Sequence, residues 1–511
     1  MWFNLILVFV ASLIYYVYRF LTKFDYWKNR NVTGPEPKAI FGNIKETFMR
    51  KKHIGINIVD IYKEFPKEKV VGLYRMTTPC LLVRDLDVIK HIMIKDFDNF
   101  TDRGLEFDPD GIGQNLFHAD GDTWNVLRNK ITPIFTSGKL KNMFYLLIER
   151  GNLFNDYLQK TVKETPEFNM HNLVSKFTTA SISACAFGLD IDYDDDTMKK
   201  LQDINDKMLC VNHFMELDFM FPGVLKHLSA TLLPKFIKQF FYDLVDTVVQ
   251  QRDGKPSNRK DFMDLMLELR EQKNVQGMKR NKEETMNVEI TNGLLAAQAF
   301  VFYAGGFETS ASTMTFMLYH LALNPGIQDK VIAEIDEVLK QNNGEVTYDC
   351  LTDLKYMSNV FDETLRLYPI VEPLMRKCKH DYKIPGTDVT IEKNTMVLIT
   401  PMGIQRDEKH FSDPETFDPD RFTTENSKNL HPCAYLPFGL GPRNCIGMRF
   451  AKVQSRVCIV KLLSKFRVEP TERTMKKIEF DPLRLVISPL GGVYLKLVLP
   501  QQSCAKAQPG Y

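Results

Sequence analysis

The chain has 511 residues, 44% of them hydrophobic and 11% aromatic, enough to bury a large core and too apolar for a disordered tail. Its formal net charge of +2, from 66 basic and 64 acidic side chains, excludes a nucleic-acid-binding protein held by bulk electrostatics. Nine cysteines lie scattered without C-x-x-C pairs, which excludes a complete disulfide framework and zinc-knuckle spacing and points to a reducing compartment.

The first element is the stretch "WFNLILVFVASLIYYVY" from Trp2 to Tyr18, uncharged until Arg19. It lacks the basic start and small-residue cleavage site of a removed secretory signal, and it stands at the short end of the roughly 17–25 residues that span a bilayer. Arg19, Lys23, Lys28 and Arg30 follow it, so the positive-inside rule keeps the rest of the chain cytoplasmic. Residues 1–22 are therefore expected to be an uncleaved membrane signal-anchor. Residues 23–43, with Gly34, Pro35 and Pro37, are expected to be a basic, proline-containing hinge, residues 44–500 the folded body and residues 501–511 a frayed tail.

The body reads as mainly helical, with short strand-like runs at "KVVGLYR" and "PCLLVRD". A segment from His213, "HFMELDFMFPGVLKHLSATLLPKFIKQFF", mixes bulky apolar and basic residues. A long helix is predicted from Glu289 to Leu323, ended by Asn324-Pro325-Gly326, and its apolar surface all round places it in the middle of the fold. Another is predicted from Leu354 to Tyr368, stopping at Pro369. Near the end "LRLVISPLGGVYLKLVL" reads as two strands around a turn at Gly491-Gly492. No G-x-G-x-x-G fingerprint follows a strand, so any electrons must come from another protein.

The segment richest in chemistry is "PFGLGPRNCIG", Pro437 to Gly447. Glycines 439, 441 and 447 clear side chains from around Cys445, so a flat, bulky group can come close. Phe450, Val453, Val457, Val460 and Leu463 then recur at spacings of three and four, which starts a helix just after the cysteine. A sulfur at a helix N-terminus is expected to have a lowered thiol pKa. A lone thiolate can serve as a nucleophile, which would want a histidine base, or as an axial ligand to haem iron, which needs no second protein ligand.

Phe438-x-x-Gly441-x-Arg443-x-Cys445-x-Gly447 resembles, at every fixed position, the haem-binding signature F-x-x-G-x-R-x-C-x-G of the cytochrome P-450 superfamily. Three further signatures follow the family's order. Gly305-Gly306-Phe307-Glu308-Thr309-Ser310 is similar to the central-helix motif G-G-x-(D/E)-T-(T/S). Two glycines inside a helix cost about 1 kcal/mol each relative to alanine. They mark either a groove above iron, in which Thr309 and Glu308 organise water and deliver protons, or close packing at a helix crossing. Glu363-Thr364-Leu365-Arg366 gives E-x-x-R, and Pro419-Asp420-Arg421-Phe422 is similar to the P-E-R-F segment with aspartate for glutamate. The resemblance makes Glu363, Arg366 and Arg421 a buried structural set. Trp124-x-x-x-Arg128 resembles the pair that meets the haem propionates. Arg376 in "PLMRKC", Arg443 and Arg103 in "FTDRG" are the matching candidates for the same duty, and Phe438 is placed against the haem edge.

The resemblance implies a mainly α fold with small β-sheets, in one large domain behind the anchor, carrying haem b with an axial cysteine thiolate. The text around the motifs is most similar to insect microsomal members. It implies a monooxygenase of the endoplasmic reticulum membrane, with its catalytic domain on the cytoplasmic side, oxidising lipophilic small molecules such as plant toxins and insecticides. The alternatives are a haem-thiolate isomerase or dehydratase acting on peroxides, oxidation of an endogenous hormone or lipid, and a non-catalytic haem carrier or gas sensor. Electrons come from NADPH through a flavoprotein reductase, docking where Arg128, Lys130, Lys139 and Lys141 could meet acidic residues, and a b-type cytochrome is a further candidate partner. Family position sets Phe117, Phe302, Ala304, Val371, Leu374 and Leu490 around the substrate, with the segment from His213 as its roof. Glu372 beside them would suit cationic alkaloids, unless a basic neighbour neutralises it.

Overall fold

The structure is a computed structural model that describes residues 2–105, 111–211, 233–271, 275–279 and 284–499. The segment from His213 falls outside the described residues as far as 232, and so does the expected tail at 501–511. The architecture is mainly helical with small sheets. The elements used below are helices α1 (Trp2–Thr22), α2 (Gly121–Ile131), α3 (Ser137–Glu164), α4 (Met170–Phe187), α5 (Asn292–Leu323), α6 (Lys355–Leu367) and α7 (Met448–Leu463). The strands are β1 (Val70–Arg75), β2 (Thr78–Val83), β3 (Glu167–Asn169), β4 (Leu374–Lys377), β5 (Met396–Ile399), β6 (Arg467–Pro470) and β7 (Tyr494–Val498).

Helix α5 is the axis of the helical half. Thr291 caps it by accepting from the Leu294 amide at 3.2 Å, so it starts three residues later than the hydrophobic pattern suggests. Twenty-three of its 32 residues are buried, which leaves no polar face and forces helices around it on every side. It packs along α4, and Phe316 stacks on Tyr368 at 4.2 Å beyond the end of α6.

The second half of the core gathers on a four-stranded sheet ordered β1-β2-β5-β4. β1 and β2 pair antiparallel, β2 and β5 parallel with Cys80 opposite Met396, and β5 and β4 antiparallel with Arg376 opposite Val397. This register carries the chain from Val371 to Arg376 along the wall of the central cavity. The expected hinge lies against the same sheet, where Trp27 donates its indole N–H to the Leu73 carbonyl at 2.9 Å.

The expected C-terminal hairpin does not form. β7 pairs instead with β6 and β3, while the run before Gly491 donates to distant carbonyls, Leu485 to Leu209 and Ile487 to Ile370. Those long-range hydrogen bonds replace the ladder that the local pattern suggested.

At the N-terminus α1 is a regular helix whose apolar side chains from Ile6 to Tyr18 stand exposed, Phe9 at 69%. Among the described residues no helix is long and apolar enough to cross a membrane.

Candidate active site around Cys445

The cysteine loop is built by turns rather than by regular structure. The Cys445 amide donates to the Phe438 carbonyl at 2.8 Å and the Asn444 amide to that of Gly441 at 3.0 Å. Gly441 has φ +74°, and a Cβ there would strike the Met93 carbonyl oxygen, so no other residue fits. Helix α7 begins at Met448, with Gly447 before it and no side-chain cap.

The sulfur opens on an interior cavity of about 250 Å³. Cys445 and Gly305 count as exposed although they sit inside the molecule, because the space they face is this cavity. The expected lowering of the thiol pKa is not found. Burial pushes the Cys445 thiol up, more than the Gly447 main chain, Arg128 and Arg103 pull it down. Desolvating the anion outweighs the favourable helix end.

The cavity brings together Cys445, Arg103, Trp124, Arg128, Arg376, Phe438, Arg443 and Thr309 with the apolar Phe117, Phe302, Val371 and Leu374. It does not include Ala304, Glu308 or Leu490. Leu490 is 44% exposed on the turn before Gly491, a correction to its expected place at the substrate. The other two miss by helical geometry. At about 100° per residue, Glu308 and Ala304 point roughly 100° and 140° away from Thr309 around α5. The stripe that does face the cavity is Val301, Phe302, Gly305, Gly306, Thr309, Ser310 and Thr313. Its period of four was available in the sequence and would have added Val301 and Thr313. Leu116 and Ile370, also on the wall, adjoin residues already named.

The two glycines of α5 divide the alternatives between them. A Cβ on Gly306 would come within 2.7 Å of Ile182 on α4, so this glycine serves the helix crossing. A Cβ on Gly305 would meet nothing within 4 Å, so this one keeps the cavity open. Gly306→Ala is expected to lose about 1–3 kcal/mol by overpacking. Gly305→Ala is expected to gain up to about 1 kcal/mol in helix propensity while adding a methyl to the cavity. Thermal unfolding of the two variants checks the opposite signs. The Thr309 hydroxyl meanwhile donates to the Gly305 carbonyl at 2.6 Å.

Glu308 is buried and paired with His171 of α4, Oε1 to Nε2 at 3.1 Å, with Ser312 at 3.5 Å. Burial opposes charge on both partners, but each outweighs that for the other: the His171 pKa is raised and that of Glu308 lowered. The His171 contribution is complete below its unfolded value near 6.5 and is lost as pH rises through its folded value; that of Glu308 is complete above about 4.3 and is lost as pH falls through its own. The stability advantage of the wild type over His171→Gln should therefore be largest between about pH 4.3 and 6.5. Denaturant midpoints across pH test this, and an advantage that keeps growing above that window would contradict it.

Three guanidinium groups converge on one wall. Arg443 lies over the Trp124 ring at 4.6 Å and donates to the carbonyls of Phe117, at 3.2 Å, and Ala119. Arg103 lies over the Phe117 ring at 4.1 Å. Burial, then Arg376 and Arg443, lower the Arg103 pKa; burial, then Arg443, lower that of Arg376 to about 9. The Nε atoms of Arg103 and Arg376 are buried without a hydrogen-bond partner. Among the described residues no carboxylate lines the cavity. Arg128 differs, because its fork is taken up by Asn444, at 3.0 Å to the carbonyl and 2.7 Å to Oδ1, and so braces the cysteine loop. Buried positive charge with unused donors, above a sulfur and between cleared glycines, fits a flat group bearing carboxylates and taking a thiolate. Haem b is such a group.

The expectation for Glu372 is corrected. Its carboxyl is off the cavity and only 3% exposed, with Oε2 accepting from the Met402 amide at 2.9 Å and Oε1 without a partner. Burial raises its pKa to about 8, against the Met402 main chain and Thr400, so at neutral pH it offers a cationic substrate nothing.

Fold and site together define a haem-thiolate enzyme. A sequence model of the cytochrome P450 family matches residues 32–496, and the chain belongs to that family. It is 54% identical over 490 residues to cytochrome P450 6B2 of Helicoverpa armigera, covering 96% of this chain and 97% of that one. Cytochrome P450 6B1 of Papilio polyxenes is 51% identical over 490 residues, at 96% and 98% coverage. Cytochrome P450 6a2 of Drosophila melanogaster is 36% identical over 504 residues, at 96% and 98%. The chain is thus a monooxygenase that carries haem with a cysteine axial thiolate and draws electrons from NADPH through a reductase.

Proposed function

We propose that this monooxygenase oxidises lipophilic small molecules of foreign origin, plant toxins and insecticides among them. The observation that carries the reading is the wall of the cavity: Leu116, Phe117, Val301, Phe302, Ile370, Val371 and Leu374, with no carboxylate among the described residues. Such a wall binds by apolar area and gives a charged amine no counter-ion.

In this reading Cys445 is the iron ligand, and Arg103, Arg376, Arg443 and Trp124 hold the propionates. Arg128 acts through Asn444, and Phe438 packs beside the sulfur. Bound haem supplies the redox chemistry with O₂. Thr309 is the hydroxyl that holds a water on the substrate side and passes a proton. Glu308 contributes to proton supply only after release from His171. The exposed apolar face of α1 supports attachment to the endoplasmic reticulum membrane, with the body on the cytoplasmic side. A b-type cytochrome is a second electron donor.

Reconstitution with reductase and NADPH tests the substrate class. Neutral lipophilic toxins should be hydroxylated and their cationic amine analogues left, and turnover confined to the amines would sink the reading. In Thr309→Ala, peroxide released per NADPH should rise several-fold at the expense of product, following the loss of a catalytic proton donor worth about 10²–10⁴ in rate. Unchanged coupling removes Thr309 from that role.

A further inference from the structure

A segment that reaches the cavity from outside α5, residues 111–119, has no regular structure beyond turns, yet it is fixed at three places. Asn115, fully buried, braces it from within: Oδ1 accepts from the amides of Phe117 at 3.0 Å and His118 at 3.1 Å, and Nδ2 donates to the Ile112 carbonyl at 2.8 Å. Arg443, two residues before the cysteine, bonds the carbonyls of Phe117 and Ala119. The third anchor is Gln298 on α5. Its carboxamide is fully buried, accepts from the Leu116 amide at 3.0 Å and donates to the Gln114 carbonyl at 2.9 Å.

Gln298 is not part of the cavity wall, but Leu116 and Phe117 are. It lies one helical turn before Phe302, so a single stretch of α5 holds both a wall residue and the clasp on the segment that carries Leu116 and Phe117. A side-chain amide used as acceptor and donor on one strand of main chain fixes that strand in direction as well as position. Removing it strands the buried Leu116 amide and releases the carbonyl of Gln114, a residue that is itself exposed.

We propose that Gln298 is a specificity-positioning residue: through its two hydrogen bonds to Leu116 and Gln114 it sets the place of the Leu116–Phe117 edge, and so the shape of substrate that fits above Cys445. It touches neither substrate nor haem and acts through that edge alone. The inference rests on the haem-thiolate reading for part of its test, and the test separates the two.

Gln298→Met keeps the length and removes both hydrogen bonds. Gln298→Glu keeps an acceptor for the Leu116 amide and provides a second variant if the first does not accumulate. Two measurements on the holoenzyme are decisive. Amide exchange in 111–119 should speed up while that of α7 stays as in the wild type. In optical titrations, affinity for a phenyl-substituted imidazole should change about tenfold, the scale of one lost positioning contact. Affinity for imidazole itself should stay within about twofold. Phe117→Ala should reproduce the selectivity change, and adding Gln298→Met to it should change nothing further, since both act through one edge. Equal effects on the two ligands, additive effects in the double variant, or unaltered exchange in 111–119 would each overturn the proposal. A wild type lacking a thiolate-type CO spectrum would instead overturn the haem reading.

Discussion

Arg366→Met is expected to leave no stable holoprotein. The guanidinium of Arg366 is wholly buried and spends its donors in a closed set: Nε and Nη2 on the two oxygens of Glu363 at 2.6 and 2.8 Å, Nη1 on the carbonyls of Gln405 and Pro414 at 2.8 Å each, and Nη2 also on that of Thr416 at 3.2 Å. Glu363 in turn accepts from the Asp418 amide at 2.8 Å and faces Arg421 at 3.5 Å. Breaking a buried pair from one side costs about 3–5 kcal/mol. Each carbonyl left unpaired adds about 1–3 kcal/mol, so the sum approaches a whole domain's 5–15 kcal/mol. Arg366→Lys keeps the charge but not the fork, and should fail nearly as badly. Glu363→Leu with Arg366→Met removes the uncompensated carboxylate and should recover part of the loss. Thermal unfolding and the yield of soluble protein check this; an Arg366→Met protein as stable as the wild type would contradict it.

Cys445→Ser should abolish monooxygenase turnover while leaving the polypeptide folded. The main-chain bond from residue 445 to the Phe438 carbonyl does not depend on the side chain, and the Arg128–Asn444 contacts lie beside it. A hydroxyl is a far weaker donor of electron density to iron than a thiolate, and the push that favours O–O cleavage goes with the sulfur. Product formation should fall below detection with an unfolding temperature close to that of the wild type. Turnover retained at more than about a hundredth of the wild-type rate would remove Cys445 from the centre of the chemistry.

What the sequence disclosed follows what is local. The apolar run of α5 placed the helix within three residues of its observed start, since a helix that is buried all round shows itself by composition, while Thr291 fixed the end by a single cap. The strand at Val70–Arg75 falls inside the run that suggested it, and the one at Thr78–Val83 begins one residue before its run. The residues of the cysteine loop and the cavity glycines were legible because spacing along a loop or helix sets which atoms meet. What depended on distant partners was not. Glu308 adjoins Thr309 in sequence and points elsewhere in space, held by a histidine more than a hundred residues away. Glu372 adjoins Val371 on the wall and buries its carboxyl behind it. The run before Gly491 spends its hydrogen bonds on Leu209 and Ile370. The thiol pKa went the other way because burial, invisible in one dimension, outweighed the helix end.

The optical spectrum of the reduced, CO-bound wild-type protein tests the haem-thiolate centre most directly, because the position of its Soret band reports the atom opposite CO. A thiolate-type band, lost in Cys445→Ser, is the predicted result. A histidine-like Soret position in the wild type would contradict the assignment of Cys445 as the iron ligand.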